Sequence, residues 1–248
     1  MDFFNYLKNV KGYSLLTCEL YSKYAKELIK NNLCYKSVLD KHQNTSNNTK
    51  RVIISAFKKY LMFIDDKRYL ELELPKKSFK ITKYISWNDY EQLKKFLIFK
   101  KKNELFLLIR ILYETGIRVS ELLNIKIKDI ELNKIKINGK NNKQRYVYLN
   151  KSLNKLLINY IQSKKVNDND FLFKYKYKNL HKKISNLGLK VLNRKISCHM
   201  FRRGFATYCS INNVDIFSLC QLMGHENINT TKMYIKKDVN IDYVNIFN

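Results

Sequence analysis

Apolar side chains recur every three or four residues along most of the chain, which predicts a mainly helical protein with one short stretch of strict alternation. The clearest N-terminal example follows Thr49, where Val52, Ala56, Tyr60 and Phe63 fall on one stripe and Ile53, Phe57 and Ile64 on the adjacent one. Helical periodicity returns from Trp87 to about Phe99, in the run LFLLIRILY, near 152–163, 178–192, 199–212 and 214–223, and in a short piece leading to Tyr234. In between, Ile135 and Ile137 alternate with polar residues, Asn141 and Asn142 can turn the chain, and Tyr146, Val147 and Leu149 begin a returning strand. A β-hairpin inside the second helical region is the expectation.

Helical periodicity lapses around the only proline, Pro75, in LELPKKSFKITKYISWNDY, a lysine-rich stretch that ends on a capping-box pattern of Ser86 and Asp89. A linker is therefore expected at 74–85, between a small helical domain, 1–73, and a larger mixed α/β domain, 86–248. The fold class is mainly α with a small β-hairpin or sheet.

Lys and Arg total 48 against 21 Asp and Glu, a formal net charge of +27 spread over the whole length, which implies a polyanionic partner. A genome rich in A and T would also inflate Lys, Asn, Ile and Tyr together. No stretch approaches the ~20 apolar residues of a spanning helix, and the start, MDFFNYLKNVKG, lacks the pattern of a signal peptide, so a soluble cytoplasmic protein with no membrane partner is expected. Cys18, Cys34, Cys198, Cys209 and Cys220 contain no C-x-x-C pair and read as reduced thiols, with neither a disulfide framework nor a zinc site. On the helix after Thr49, Lys50, Arg51, Lys58 and Lys59 occupy the polar surface; they suit a phosphate backbone or a solvated face equally.

The scarce residue types are more telling, because compositional bias does not supply them. Gly116, Gly139, Gly204 and Gly224, four of six glycines, lie within a few residues of four polar clusters, as do His199 and His225, two of four histidines. In TGIRVSELLNIKIKDI, Gly116 can break a helix so that Arg118 starts the next, with Glu121 three residues on to hold its guanidinium; an ordinary surface pair has the same spacing. In INGKNNKQRYVYL, Lys140 follows Gly139 at the hairpin tip, and Lys143 and Arg145 share the turn, which also fits a generic phosphate-contacting turn. In HMFRRGFATY, His199 and Arg202 share a helical face, and in LMGHENINTTKMY, Gly224 can end a helix and set His225 in the turn, nine residues before Tyr234.

Taken in order, these four boxes resemble the tyrosine recombinase, or phage integrase, family, and most closely its Xer-like branch. TGIRVSEL resembles the first arginine box, GKNNKQRYVYL the lysine hairpin, HMFRRGFAT the His-x-x-Arg box and LMGHENINTTKMY the terminal His-to-Tyr box. The likeness spans essentially the whole C-terminal domain. The N-terminal domain is similar to the family's helical core-binding domain only in position, helicity and charge. Three positions depart from the pattern, Cys198, Arg203 and Asn141, and none removes a catalytic group.

The resemblance implies a site-specific DNA recombinase in which Tyr234 attacks a backbone phosphate to give a 3′-phosphotyrosyl link and a free 5′-hydroxyl. It implies that Arg118 and Arg202 clamp the non-bridging oxygens, Lys140 protonates the leaving 5′-oxygen, His199 assists proton transfer at the tyrosine, His225 donates to the phosphate and Glu121 supports them. Lys50, Arg51, Lys58, Lys59, Lys143 and Arg145 are the expected DNA contacts. No metal or nucleotide cofactor is implied. The expected partners are a double-stranded recombination site and either further copies of the chain, four protomers on two sites, or a second related recombinase. The tail IKKDVNIDYVNIFN, with Ile241, Val244 and Phe247 at spacings of three, suggests a small helix that docks in trans, in cis, or not at all. A catalytically inactive DNA-binding protein of the same fold and a type IB topoisomerase-like enzyme are the alternatives.

Overall fold

The computed structural model describes residues 1–76, 83–138, 144–225 and 227–232. The chain divides into two compact units, Met1–Ile81 and Thr82–Asn248.

The first unit is helical. The short helix α1 (Phe3–Asn5) runs into a π-helical turn, and α2 (Leu15–Lys30), α3 (Tyr35–Lys41) and α4 (Asn47–Phe63) follow. Serines open the two long helices, since Ser14 accepts from the Thr17 N–H and Ser46 from the Thr49 N–H, satisfying donors that a helix start leaves unpaired. One apolar cluster joins Leu28, Val38, Ile53, Phe57, Leu61 and Leu72, and a second gathers Phe3, Leu7, Cys18 and Ala25. The Phe3 ring lies 5.2 Å from that of Tyr60 and 5.5 Å from that of Phe63. The stripe read from the sequence differs at its end. Ile64 is 38% exposed, because α4 stops there and Asp65 turns the chain with a left-handed φ of 57°.

The second unit opens with α5 (Trp87–Phe99), at whose start Ser86 Oγ accepts from the Asp89 N–H at 3.1 Å while the Asp89 carboxylate accepts from the Ser86 N–H at 3.0 Å. Next, α6 (Asn103–Thr115) buries Leu107, Leu108, Ile109, Ile111 and Leu112. A helix apolar on nearly every side belongs at the centre of a core, and α6 accordingly touches α5, α8 (Lys151–Gln162) and α10 (Cys198–Ile211). The short α7 (Val119–Leu122) leads into an antiparallel sheet of β1 (Ile130–Glu131), β2 (Lys134–Asn138) and β3 (Gln144–Tyr148), in that order. The register pairs Ile135 with Val147 and Ile137 with Arg145. Strand β1 was not expected from sequence, because two residues are too few to show an alternation. After α8 come α9 (Tyr177–Leu192), then α10, α11 (Ile216–Met223) and α12 (Asn229–Lys232).

One half-buried carboxylate fastens three of these helices. Glu114 on α6 accepts from Tyr90 Oη of α5, from Arg110 and, at 2.6 Å, from Asn150 at the head of α8. Burial pushes the Glu114 carboxyl up, but the bonds from Arg110 and Tyr90 outweigh it and leave it below the usual carboxylate range. Close approach elsewhere needs glycine. A Cβ on Gly204 of α10 would lie 2.3 Å from the Ile85 carbonyl oxygen and 2.7 Å from the Tyr113 ring. Gly204→Ala is therefore expected to destabilise the second unit by about 1–3 kcal/mol through overpacking. Chemical denaturation followed by tryptophan fluorescence checks this through Trp87, and an unchanged midpoint would show that α10 is not seated so tightly.

Candidate active site

The site begins where α6 stops. Gly116 adopts a left-handed φ of 62°, and a side chain there would meet the Phe205 ring at 2.3 Å. The turn frees the Gly116 carbonyl and delivers Arg118 to the N-cap of α7. Glu121, in the first turn of α7, accepts from the Arg118 backbone N–H through Oε2 and from its guanidinium through Oε1, both at 2.9 Å. The spacing of three had placed these two residues on one face, and the ion pair is formed.

A second helix end supplies the opposite wall. Helix α11 also terminates in a left-handed glycine, Gly224, with φ 60°. The Gly224 carbonyl accepts from Arg118 Nη2 at 2.9 Å. Arg202, on α10 and 5% exposed, spans the two helix ends, donating from Nη1 to the Gly116 carbonyl and from Nη2 to the Met223 carbonyl, each at 2.6 Å. Carbonyls at helix C-termini lack intrahelical partners and carry the negative end of the helix dipole, so they are natural acceptors for a cation. The two guanidiniums are thereby oriented in part by helix-end carbonyls.

Arg118, Glu121, Arg145, Gly224 and His225 line an open cleft of about 910 Å³. His225 follows Gly224 directly, and its Nδ1 lies 2.7 Å from the hydroxyl of Thr231, a fully buried residue on α12. Burial first, then the charges of Arg202, Arg118 and Arg145, hold the His225 imidazole down at about 4. His199, one turn before Arg202 on α10, is also held below its ordinary value, by partial desolvation and by the charges of Arg203, Arg202 and Arg118. Burial and these charges both favour the neutral ring at the two positions, and the same arginines make the cleft attractive to an anion.

Of the residues singled out in the sequence, Arg118 and Glu121 are bonded to each other, Arg118 and Arg202 both anchor at the end of α11 next to His225, and His199 lies within reach of the arginine charges. Lys140, Lys143 and Tyr234 fall outside the described residues, as does the tail that holds Ile241, Val244 and Phe247. Lys50, Arg51, Lys58 and Lys59 lie half-buried on α4 in the first unit, where Arg51 also donates to the Pro75 carbonyl. Arg145 differs from expectation. Rather than standing out from the hairpin toward DNA, it donates from both terminal nitrogens to the two Glu121 oxygens, each at 2.9 Å. The signal was available, since Arg145 shares strand parity with the buried Val147 and pairs with the buried Ile137, which turns it inward. Thr231 gave no such signal, being one of two adjacent threonines in a polar run.

Residues 83–240 match the model of the phage integrase family. Among curated proteins, the chain is 38% identical over 149 residues to the tyrosine recombinase XerA of Saccharolobus solfataricus, which covers 59% of this chain and 50% of that one. It is 31% identical over 186 residues to the tyrosine recombinase XerC of Caldanaerobacter subterraneus subsp. tengcongensis, covering 68% and 51%. The chain thus spans about half the length of these two relatives. Among solved structures, the XerH site-specific recombinase bound to difH substrate in a pre-cleavage complex is similar, with a TM-score of 0.65 at 25% identity over 79% of this chain and 63% of that one. The matched segment takes in every box from Arg118 to Tyr234, and the chain belongs to the phage integrase family, on its Xer-like tyrosine recombinase branch.

Proposed function

We propose that the chain is a site-specific recombinase that cleaves and rejoins duplex DNA through a covalent bond to Tyr234. The observation that carries this reading is the pair of guanidiniums, Arg118 and Arg202, both tied to the end of α11, where Gly224 and Met223 offer their carbonyls, beside a neutral His225. That arrangement fits a phosphate whose charge grows on its non-bridging oxygens in the transition state. Planar forks match those oxygens better than an ammonium does.

In this reading the Tyr234 oxygen attacks phosphorus, its proton passes to the neutral His199, and the bond to the 5′-oxygen breaks as Lys140 protonates that oxygen. Reversal by a 5′-hydroxyl from another strand rejoins the DNA. The phosphotyrosyl bond conserves the energy of the phosphodiester, so the exchange calls for neither metal nor nucleotide. His225 acts as a donor: the tautomer protonated on Nε2 accepts the Thr231 hydroxyl proton at Nδ1 and offers Nε2–H to the phosphate. The proposed partners are a double-stranded recombination site and three further protomers, of this chain or of a related recombinase, on two such sites.

The full chain, incubated with a pool of nicked duplex oligonucleotides of random sequence, is expected to form covalent adducts whose DNA reveals the preferred site. Tyr234→Phe is expected to form none; a variant that still did so would remove Tyr234 from the mechanism, and a wild type that formed none would overturn the whole reading. Arg118→Lys keeps the charge and loses the fork, so adduct formation at saturating DNA should slow by about 10²–10³. A rate within threefold of wild type would mean that Arg118 does not hold the scissile phosphate.

A further inference from the structure

The position of Arg145 deepens the reading above and rests on Arg118 being the phosphate clamp. Arg145 sits on β3 with its side chain on the inner face of the hairpin. Both of its terminal nitrogens meet Glu121, whose side chain is 8% exposed. The same carboxylate holds the Arg118 guanidinium and backbone N–H. Arg145 also packs on the other group that holds Arg118. A Cβ on Gly224 would lie 2.9 Å from Arg145 Nε, and the Gly224 carbonyl accepts from Arg118 Nη2. One side chain therefore touches both anchors of Arg118.

The charges give this contact its purpose. Arg118 and Glu121 alone sum to zero, and a carboxylate at 2.9 Å would spend the positive charge that a phosphate needs. Adding Arg145 returns the cluster to a net positive charge while the carboxylate keeps its orienting bonds. Glu121 answers to that surplus, since burial pushes its carboxyl up and the fork and charge of Arg145, with the bonds from Arg118, bring it down to about 2. We propose that Arg145 is a positioning residue for cleavage, neutralising Glu121 and bracing the Gly224 turn so that Arg118 meets the scissile phosphate with its full charge.

The test uses the full chain and a nicked duplex of the sequence recovered in Tyr234 adducts. Arg145→Met should slow adduct formation at saturating DNA about 100-fold, with the salt dependence of DNA binding unchanged. A log–log salt slope shallower by about 0.9 would instead mark Arg145 as a direct phosphate contact and overturn the proposal. Arg145→Met leaves Glu121 buried with fewer partners and can unfold the chain, so the double variant Arg145→Met/Glu121→Gln is the companion. It removes the uncompensated carboxylate and should fold and cleave faster than the single variant; a double variant no faster than the single one would sink the charge argument. Placing a methylphosphonate at the scissile position removes the charge that the clamp serves, and the defects of Arg145→Met and Arg118→Ala should both shrink by at least tenfold. Shrinkage for Arg118→Ala alone would overturn the role of Arg145, whereas shrinkage for neither would overturn the reading of Arg118 on which it rests.

Discussion

A guanidinium that is 5% exposed has given up most of its water and must find acceptors in the protein. Arg202 finds them at the ends of α6 and α11, in the Gly116 and Met223 carbonyls. That choice of acceptor shapes the site. A helix-end carbonyl holds the guanidinium without bringing a full negative charge of its own. Helix C-termini are where such carbonyls lie unpaired, and the left-handed glycines at 116 and 224 end the helices there. Neither glycine could be exchanged for a larger residue without displacing the Phe205 ring or the Arg145 guanidinium.

The histidines follow from the same constraint. With Arg118, Arg145 and Arg202 close by, a protonated imidazole at position 225 is opposed by charge as well as by burial. His199 meets Arg203, Arg202 and Arg118 in the same way. Burial and the arginine cluster thus both favour the neutral form of each ring. Thr231, with its hydroxyl 2.7 Å from Nδ1, fixes the orientation of the ring. Positive potential, proton inventory and ring orientation are consequences of one packing arrangement.

Much of this was legible in the sequence, and the reason is chemical. Left-handed helix stops favour glycine, so Gly116 and Gly224 mark the turns, and the spacings Arg118 to Glu121 and His199 to Arg202 put each pair on one helical face. The capping box at Ser86 and the span Trp87–Phe99 were read for the same reason, because caps and periodicity are local properties. What was not legible depends on distant partners. Arg145 was grouped with the exposed turn lysines, although strand parity pointed it inward, because its partner Glu121 lies 24 residues away on another element. Nothing local in Thr231 announces that its hydroxyl would be buried against an imidazole.

The bonds that build the site span long stretches of chain: 86 residues from Arg202 to Gly116 and 106 from Arg118 to Gly224. They form only when α6, the hairpin, α10 and α11 have packed, so the site is assembled by the core rather than attached to it. The two arginines differ in what this means for them. Arg118 has a side chain 36% exposed and leans on anchors that Arg145 also touches, so its geometry can be disturbed while the helices keep their places. Arg202 is itself a tie between the ends of α6 and α11, and removing it strips two buried carbonyls of a donor. Side-chain geometry and fold stability are therefore separable at Arg118 and inseparable at Arg202.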